Sequence, residues 1–291
     1  MTKLMQKFKT KLGKLIYRTP FPPCNKERRK FIEYLKLKHP KFKINFLDIG
    51  CSGGLSNKYK ILKEIKSYLV GIDAEVNATK NNLEYDVIKN IAISDKEGFF
   101  PFYITKSTGC SSLLKPNLEQ LKYYSFSDWF MIKEKRMINT TTLDAIFSSK
   151  DFDFIQMDIQ GSEYDAIIGG KGLLSKTIGI SFESHLFPYY INQKLFPDIH
   201  ELLSSLGFRV LRLDRRDNDG EIGELSNCVY IRDHRQIKTQ QDILKRILFA
   251  LIWDKKNYVE FLLRNYGNLI DNDYLINLLQ ILLLPKKEPV D

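Results

Sequence analysis

Between residues 44 and 234 short apolar runs alternate with helix-patterned stretches, and this alternation constrains the fold more than any other feature of the chain. Residues 44–49, 68–72, 86–93, 152–157 and 178–182 read as strands buried on both faces, because their apolar residues run on rather than alternate. Helical spacing is expected over residues 55–65, 143–147 and 195–206, and from residue 163. Parallel strands need crossovers of this length, so the pattern predicts an α/β fold, a mostly parallel sheet with helices on both faces. Residues 208–213 and 228–231 follow one another without a helix between them and are expected to close the sheet as an antiparallel hairpin. Residues 99–105 look like an inserted strand, followed by a polar, aromatic stretch to about residue 135.

Charge divides the 291 residues differently from hydropathy. The formal net charge is +10, yet residues 1–43 hold 14 Lys and Arg against two acids, Glu27 and Glu33. Everything after residue 43 is therefore close to neutral, at −2. That balance argues against a body coated by nucleic acid and leaves a basic arm to be explained. Three segments are expected: a basic helical segment 1–43, a central domain 44–234 and a helical segment 235–291. Apolar residues make up 43% of the chain, enough for a substantial core. Cys24, Cys51, Cys110 and Cys228 are far apart, with no C-x-x-C pair or Cys/His cluster. Neither a metal site nor a disulfide framework is indicated, and a reducing, cytoplasmic compartment is expected.

Four strand ends carry the chemistry. Residues 46–54 run Phe-Leu-Asp-Ile-Gly-Cys-Ser-Gly-Gly, a buried strand ending in Asp48 and then a glycine turn that opens a helix. Glycine permits positive φ and close approach of a ligand to the backbone, and free amides at a helix start favour polar or anionic groups. Ser52 occupies the position where a dinucleotide fingerprint requires glycine, which disfavours a dehydrogenase. Asp73, followed by Ala74, ends the second strand 25 residues after Asp48, where a carboxylate can accept bonds from both hydroxyls of a ribose or simply cap a helix. Asp158 ends the strand 152–157 and leads into Gln160-Gly161-Ser162-Glu163, where Glu163 either meets a substrate or caps the next helix. Glu183 and His185 sit at the end of the strand 178–182 and offer a carboxylate and an imidazole at the same sheet edge, as proton acceptors or as rim residues.

Together these residues resemble the FkbM-type methyltransferases, which use S-adenosylmethionine on a Rossmann-like methyltransferase fold. The resemblance runs from about Asn45 to Arg232. It is carried by Asp48-Ile49-Gly50, Asp73, residues 90–94 before Asp95 and Gly98, Ser111-Ser112-Leu113, Thr142-Leu143-Asp144 and, above all, residues 157–163 followed by Gly170, Leu173 and Leu174. Asn227 before residues 229–231 also fits. The chain departs from the pattern at Gln160, where many relatives carry Glu, and at Cys51-Ser52, where Ala-Asn is common. The resemblance implies a seven-stranded, mostly parallel sheet with N- and C-terminal helical additions. It implies that Gly50 and the amides of Cys51, Ser52 and Gly53 face the methionine part of the cofactor and that Asp73 holds the ribose. Ala92 and Ile93 would line the adenine site, and Asp48 and Asp158 would position the cofactor's amino group or the turn around it. Ser111, Ser112, Gln160 and Glu163 are the expected substrate-side residues. His185 is the first candidate base, with Asp158 and Glu183 as alternatives.

The family mostly transfers methyl groups to oxygen, so the expected acceptor is a hydroxyl of a saccharide, glycan or small metabolite. RNA methylation on the same scaffold is an alternative that the near-neutral central segment and the lack of an Asn/Asp-Pro-Pro-aromatic signature disfavour. A non-catalytic scaffold is a further alternative. The aromatic residues Tyr123, Tyr124, Phe126, Trp129 and Phe130 could cover an acceptor ring or pack as core.

Residues 1–18 carry six Lys and Arg and no acid, with Leu4, Phe8, Leu12, Leu15 and Ile16 at helical steps. Three readings stay open for them: a helix packed on the domain, a peripheral helix on the anionic inner face of a membrane, or a contact with another macromolecule. The wide apolar stripes of residues 243–252, 258–266 and 274–284 suit packing on the central domain or a homodimer contact. Flotation with anionic vesicles, with and without residues 1–18, tests the membrane reading; equal flotation of both proteins removes it.

Overall fold

The computed structural model describes residues 25–75 and 83–270. The helices expected within 1–18 and 274–284 lie outside the described residues. By its internal contacts the chain divides into two compact units, residues 40–236 and residues 1–39 with 237–291.

In the larger unit the chain builds β1 (Ile44–Ile49), β2 (Ser67–Asp73), β3 (Val87–Asn90), β4 (Ala92–Ile93), β5 (Gly98–Thr105), β6 (Ile132–Thr141), β7 (Phe154–Met157), β8 (Gly179–His185), β9 (Phe208–Asn218) and β10 (Glu221–Arg232). Seven of these form one sheet in the order β3-β2-β1-β7-β8-β10-β9. All neighbours are parallel except β10, which runs antiparallel to both β8 and β9. This is the expected sheet of the Rossmann-like methyltransferase fold, including its closing hairpin. From β1 the chain winds outward to β2 and β3, then returns to pair β7 on the other side of β1. The order therefore reverses between β1 and β7, and ligands of open α/β sheets settle in the crevice at such a point.

The strand residues divide by pleat. Leu47, Ile49, Ile155, Met157, Ile180 and Phe182 belong to the main core cluster, with Ala166 and Ile167 of α4 (Glu163–Ile168), Leu173 and Leu174 of α5 (Lys171–Leu174), and Ile199 and Leu203 of α6 (Phe196–Ser205). Phe46, one residue out of phase with them, packs against the ring of Tyr59, centroids 4.4 Å apart. The Tyr59 hydroxyl lies 2.8 Å from Ser181 Oγ, and Ser181 in turn donates to Gln156 Oε1 at 2.6 Å, so the polar groups of this face satisfy one another.

Two expected elements take another form. The helix expected over 55–65 is a 3-10 turn, Tyr59–Glu64. Only a dozen residues connect the glycine turn to β2, and a 3-10 helix advances about 2.0 Å per residue against 1.5 Å for an α-helix, so it returns along the strands in fewer residues. The strand expected over 86–93 divides into β3, which joins the large sheet, and β4, which joins a second sheet in the order β4-β6-β5. This second sheet carries α2 (Leu118–Leu121), while α3 (Leu143–Ile146) follows β6.

In the smaller unit, α1 (Asn25–Lys38) and α8 (Lys256–Tyr266) both pack on α7 (Gln240–Ile252). Thr239 caps α7, its hydroxyl accepting from the Asp242 amide while the Asp242 carboxylate accepts from the Thr239 amide. Arg28 of α1 donates to the carbonyl oxygens of Leu251 and Ile252 at the end of α7 and pairs with Asp254 at 3.2 Å. The described parts of the two flanking segments, residues 25–39 and 237–270, thus fall in one unit. Among the described residues no helix is long and apolar enough to cross a membrane.

Arg232, at the end of β10, shows how a buried cation can be used as a fastener. It donates to the carbonyl oxygens of Thr177 at 2.7 Å, Leu206 at 3.1 Å and Leu174, and its guanidinium stacks on Phe208 at 4.2 Å. Leu174 and Leu206 end helices, where unpaired carbonyls concentrate negative potential. Arg232→Met keeps the stem but strands these carbonyls, and is expected to lower stability by about 3 kcal/mol or more. The urea midpoint of unfolding measures it.

Candidate active site

The centre of the site is the turn after β1. Gly50 has φ of +90°, and its amide donates to Ile72 of β2 at 2.8 Å, while Ile49 accepts from the Asp158 amide at 2.8 Å. A Cβ on Gly50 would lie 1.9 Å from the Asp158 carbonyl oxygen. Glycine is needed here for its φ and for the closeness of the strand end beside it. Gly71 plays a related part under Cys51, whose Sγ would lie 2.7 Å from an added Cβ.

A cavity of about 370 Å³ opens at this point. That is within the range of small-ligand pockets, about 300–1,000 Å³. One wall is formed by Gly50, Ser52, Asp73, Ala74 and Glu75. A second, apolar wall is formed by Ile72, Ile91, Ala92, Ile93 and Phe102. Asp158 and Gln160 also line it, and the insertion contributes Thr108, Gly109, Ser111 and Leu113.

The structure thus brings Gly50, Ser52, Asp73, Ala74, Ala92, Ile93, Ser111, Asp158 and Gln160 to one cavity. Asp48, Cys51, Gly53, Ser112, Glu163, Glu183 and His185 stand outside its lining. Asp48 lies buried beneath it and accepts a 2.6 Å hydrogen bond from the Tyr85 hydroxyl. Burial, aided by the charges of Asp158 and Asp73, pushes Asp48 up to about 7. Cys51 is buried, and loss of solvent together with Asp73 and Asp48 pushes its thiol up to about 12, so it stays neutral. Gly53 has open space around it.

Asp73 accepts from the amides of Ser52 at 2.9 Å and Glu75 at 2.8 Å, one on each oxygen. Each oxygen keeps a further lone pair, so a vicinal diol can still be held. Ser112 donates its hydroxyl to the Gln160 carbonyl oxygen at 2.8 Å and accepts from the Leu114 amide, tying the insertion to the turn. Ser111 Oγ accepts from the Thr105 amide at 3.2 Å. Glu163 accepts from the amides of Ile159 and Gly161, both at 3.0 Å, and so clamps the turn that follows Asp158. Its burial pushes it up to about 7.

Glu183 and His185 differ sharply. His185 is 4% exposed, its ring lies against Tyr189 with centroids 4.0 Å apart, and its Nδ1 is 2.7 Å from the Gln193 side-chain amide. Burial, followed by the positive charge of Arg216, pushes it down to about 3. The Glu183 side chain is about a quarter exposed, with Arg216 3.7 Å away, and Arg216 pairs with Glu224 at 2.6 Å. Burial, then the charges of Asp158 and Glu224, push Glu183 up to about 8 against the opposing effect of Arg216.

Tyr85, Tyr190, Gln193, Glu224 and Arg216 contact the candidate residues or one another without lining the cavity, and the sequence does not single them out. Each lies outside the strand-end motifs, in a loop or on the hairpin, and makes these contacts only through the tertiary fold. The aromatic insertion divides as well. Tyr124, Phe126 and Phe130 stack or pack against Phe187, Tyr189 and Tyr190, whereas Tyr123 and Trp129 are exposed.

A reversed sheet order, a glycine turn at the reversal and a carboxylate at the tip of the second strand are the features by which open α/β sheets bind a nucleoside-bearing cofactor. The chain belongs to the methyltransferase FkbM domain family, which matches residues 54–210, more than half of its length. S-adenosylmethionine is the cofactor of this family. The chain is 28% identical over 162 residues to the 2-O-methyltransferase NoeI of Sinorhizobium fredii, a match covering 52% of this chain and 64% of that protein. Among solved structures it is similar to the magnesium protoporphyrin IX methyltransferase ChlM of Synechocystis PCC 6803 with bound S-adenosylmethionine, at 12% identity and a TM-score of 0.35, over 80% of this chain and 86% of that one. It is also similar to the ribosomal protein L11 methylase of Lactobacillus delbrueckii subsp. bulgaricus, at 14% identity and a TM-score of 0.34, over 72% and 78%.

The donor set fits this cofactor: Asp73 keeps lone pairs that would accept from a diol, Ile91, Ala92, Ile93 and Phe102 would suit a base, and the Asp158 carboxylate would pair with an ammonium group. Gly50→Ala places a carbon on the Asp158 carbonyl in an unfavourable backbone region. Calorimetry with S-adenosylhomocysteine is expected to show binding weakened at least about a hundredfold, with a lowered unfolding temperature.

Proposed function

We propose that this protein is an S-adenosylmethionine-dependent O-methyltransferase whose acceptor is a hydroxyl of a saccharide, glycan or small metabolite. The observation that carries this reading is that one cavity is lined from neighbouring strand ends, in the sheet order β3-β2-β1-β7, by apolar residues after β3, the Asp73 carboxylate of β2, Gly50 after β1 and Asp158 after β7, which matches the adenine, ribose and amino-acid parts of the donor. The name of the 2-O-methyltransferase relative supports oxygen as the acceptor atom. The acceptor side faces the insertion and the loop after β8.

When bound, S-adenosylmethionine supplies a methyl group on a positively charged sulfur, already a strong electrophile. What remains for the chain is alignment of the acceptor oxygen and removal of its proton. Asp73 binds hydroxyls, Asp158 balances a positive charge, and Ser111 offers a hydroxyl on the acceptor side.

Of the three candidate bases, Glu183 suits the task best. A base must reach its substrate and be basic enough near neutral pH. His185 is enclosed, its Nδ1 is engaged, and it is held far below neutrality. Asp158 already accepts a hydrogen bond from Gln160 and faces the donor. Glu183 follows the Met157–Phe182 pair on β8, next to Asp158, and is partly exposed. Its raised affinity for a proton makes its carboxylate a stronger base.

Transfer of a labelled methyl group from S-adenosylmethionine into cell-envelope glycan fractions tests the function; no transfer to glycan or small-metabolite fractions overturns it. In that assay Glu183→Gln is expected to reduce turnover about 10²–10⁴-fold, leaving S-adenosylhomocysteine affinity within about threefold. A base must be ionised, and Glu183 ionises above about 8. Wild-type rates are therefore expected to fall as pH drops through that value.

A further inference from the structure

We propose that Gln193, Tyr190 and Gln160 form a positioning relay, anchored on a neutral His185, that aims the Asp158 carboxylate at the methyl donor. The proposal rests on the reading of the cavity as the donor site. It makes Tyr190 and Gln193 positioning residues, although neither lines the cavity.

Two amide side chains, Gln193 and Gln160, have their orientation fixed by the partners on their oxygens. Gln193 Oε1 accepts from the amides of Tyr189 at 2.9 Å and Tyr190 at 3.2 Å. Its NH2 end must then be the one that meets His185 Nδ1 at 2.7 Å. Nδ1 is therefore the acceptor, and the imidazole proton sits on Nε2. A charged imidazole would set N–H against N–H here, and burial together with Arg216 keeps the ring neutral. The same Gln193 that reads the imidazole thus fixes the backbone at Tyr189 and Tyr190.

Tyr190 carries the order onward. Its ring lies over Gly161, where an added Cβ would be 2.9 Å from Tyr190 Cδ2 and 3.1 Å from Gln193 Nε2. Its single hydroxyl proton is shared between two acceptors, the Cys110 carbonyl oxygen at 2.9 Å and Gln160 Oε1 at 3.0 Å. With its oxygen turned to Tyr190, Gln160 has its NH2 left for Asp158 Oδ1, at 2.7 Å. Gln160 adopts φ of +53°, so the side chain is projected from a left-handed turn that non-glycine residues rarely occupy. A Glu at this place would accept from Tyr190 equally well, but would face Asp158 with a second carboxylate and force the pair to share a proton.

Groups facing Asp158 come from every neighbouring element: Asp48 of β1, Asp73 of β2, Glu163 of α4, Glu183 of β8 and Arg216 of β9, with Tyr190 and Cys110 from the loops. Burial raises Asp158, whereas the Gln160 amide and then Arg216 lower it. Loss of the amide bond leaves burial less opposed. Charge on Asp158 is present above its pKa and lost as pH falls through it, so affinity for a cationic amino group should be lost at higher pH once the relay is cut.

The test is calorimetric titration of S-adenosylhomocysteine into the full chain between pH 6 and 9. Tyr190→Phe, which keeps the ring, is expected to weaken binding about three- to tenfold at pH 7, and Gln160→Glu about tenfold or more. Both should shift the acidic loss of affinity to higher pH by about one unit, with unchanged circular dichroism. Wild-type affinity and an unshifted pH profile in both variants overturn the relay. Should a variant fold poorly, nitrogen-15 shifts of His185 in the wild-type chain decide: a proton on Nε2 and no titration above pH 6 support the relay, and a protonated Nδ1 overturns it. A wild-type chain that binds no S-adenosylhomocysteine overturns the donor-site reading and the relay with it, a result distinct from normal binding that the variants leave unaltered.

Discussion

At the middle of the large sheet, the backbones leaving β1 and β7 lie so close that a single carbon on Gly50 would overlap the Asp158 carbonyl oxygen. The rest of the site depends on this contact. It holds the glycine turn and the Asp158 turn side by side at the reversal of strand order, and the cavity is the space that opens beyond them. The bonds from Gly50 to Ile72 and from Asp158 to Ile49 set the depth of that space by tying β2 and β7 to the same two residues. The register of three strands thus converges on one dipeptide, Ile49-Gly50.

The same geometry gathers acids at one edge. Asp48, Asp73, Asp158, Glu163 and Glu183 come from successive elements, and their charges act on one another. Such crowding is tolerated because several of these oxygens accept from fixed donors. Asp73 takes two backbone amides, Glu163 takes two more, Asp48 takes the Tyr85 hydroxyl, and Asp158 takes the Gln160 amide. A segment whose overall charge is close to zero thereby presents a locally negative site, suited to a donor that carries its positive charge on sulfur.

What could be seen in the residues was what repeats or punctuates: apolar runs for strands, glycine where the chain turns sharply, acids where strands end. Gly50, Asp73 and Asp158 are legible because each marks a strand tip, and strand tips converge in any sheet of this kind. Ala92 and Ile93 were legible only through family resemblance, and the structure assigns them to a separate small sheet that still borders the cavity. The role of His185 was not legible, because burial and a partner eight residues away decide whether an imidazole is a base or a strut. Tyr85 and Arg216 carried no signal, since nothing local distinguishes a tyrosine that holds a carboxylate or an arginine on a hairpin. Combination of the terminal segments into one unit was likewise hidden, for it depends on contacts such as Arg28 with Leu251, more than two hundred residues apart.

The small sheet and its helical turn meet the β9–β10 hairpin through few polar links: Ser125 with Asp219, and Tyr124 with Glu221. Gly50, Asp73 and Asp158 line the cavity from strand ends that cannot move without disturbing the core. Thr108, Gly109, Ser111 and Leu113 line it from an excursion that leaves the chain after β4 and rejoins it before α3. Phe102 of this excursion also lines the cavity, and Cys110 and Ser112 accept from Tyr190 and donate to Gln160 respectively. Rewriting this one stretch of chain would therefore alter both what the cavity admits and how its Asp158 side is held.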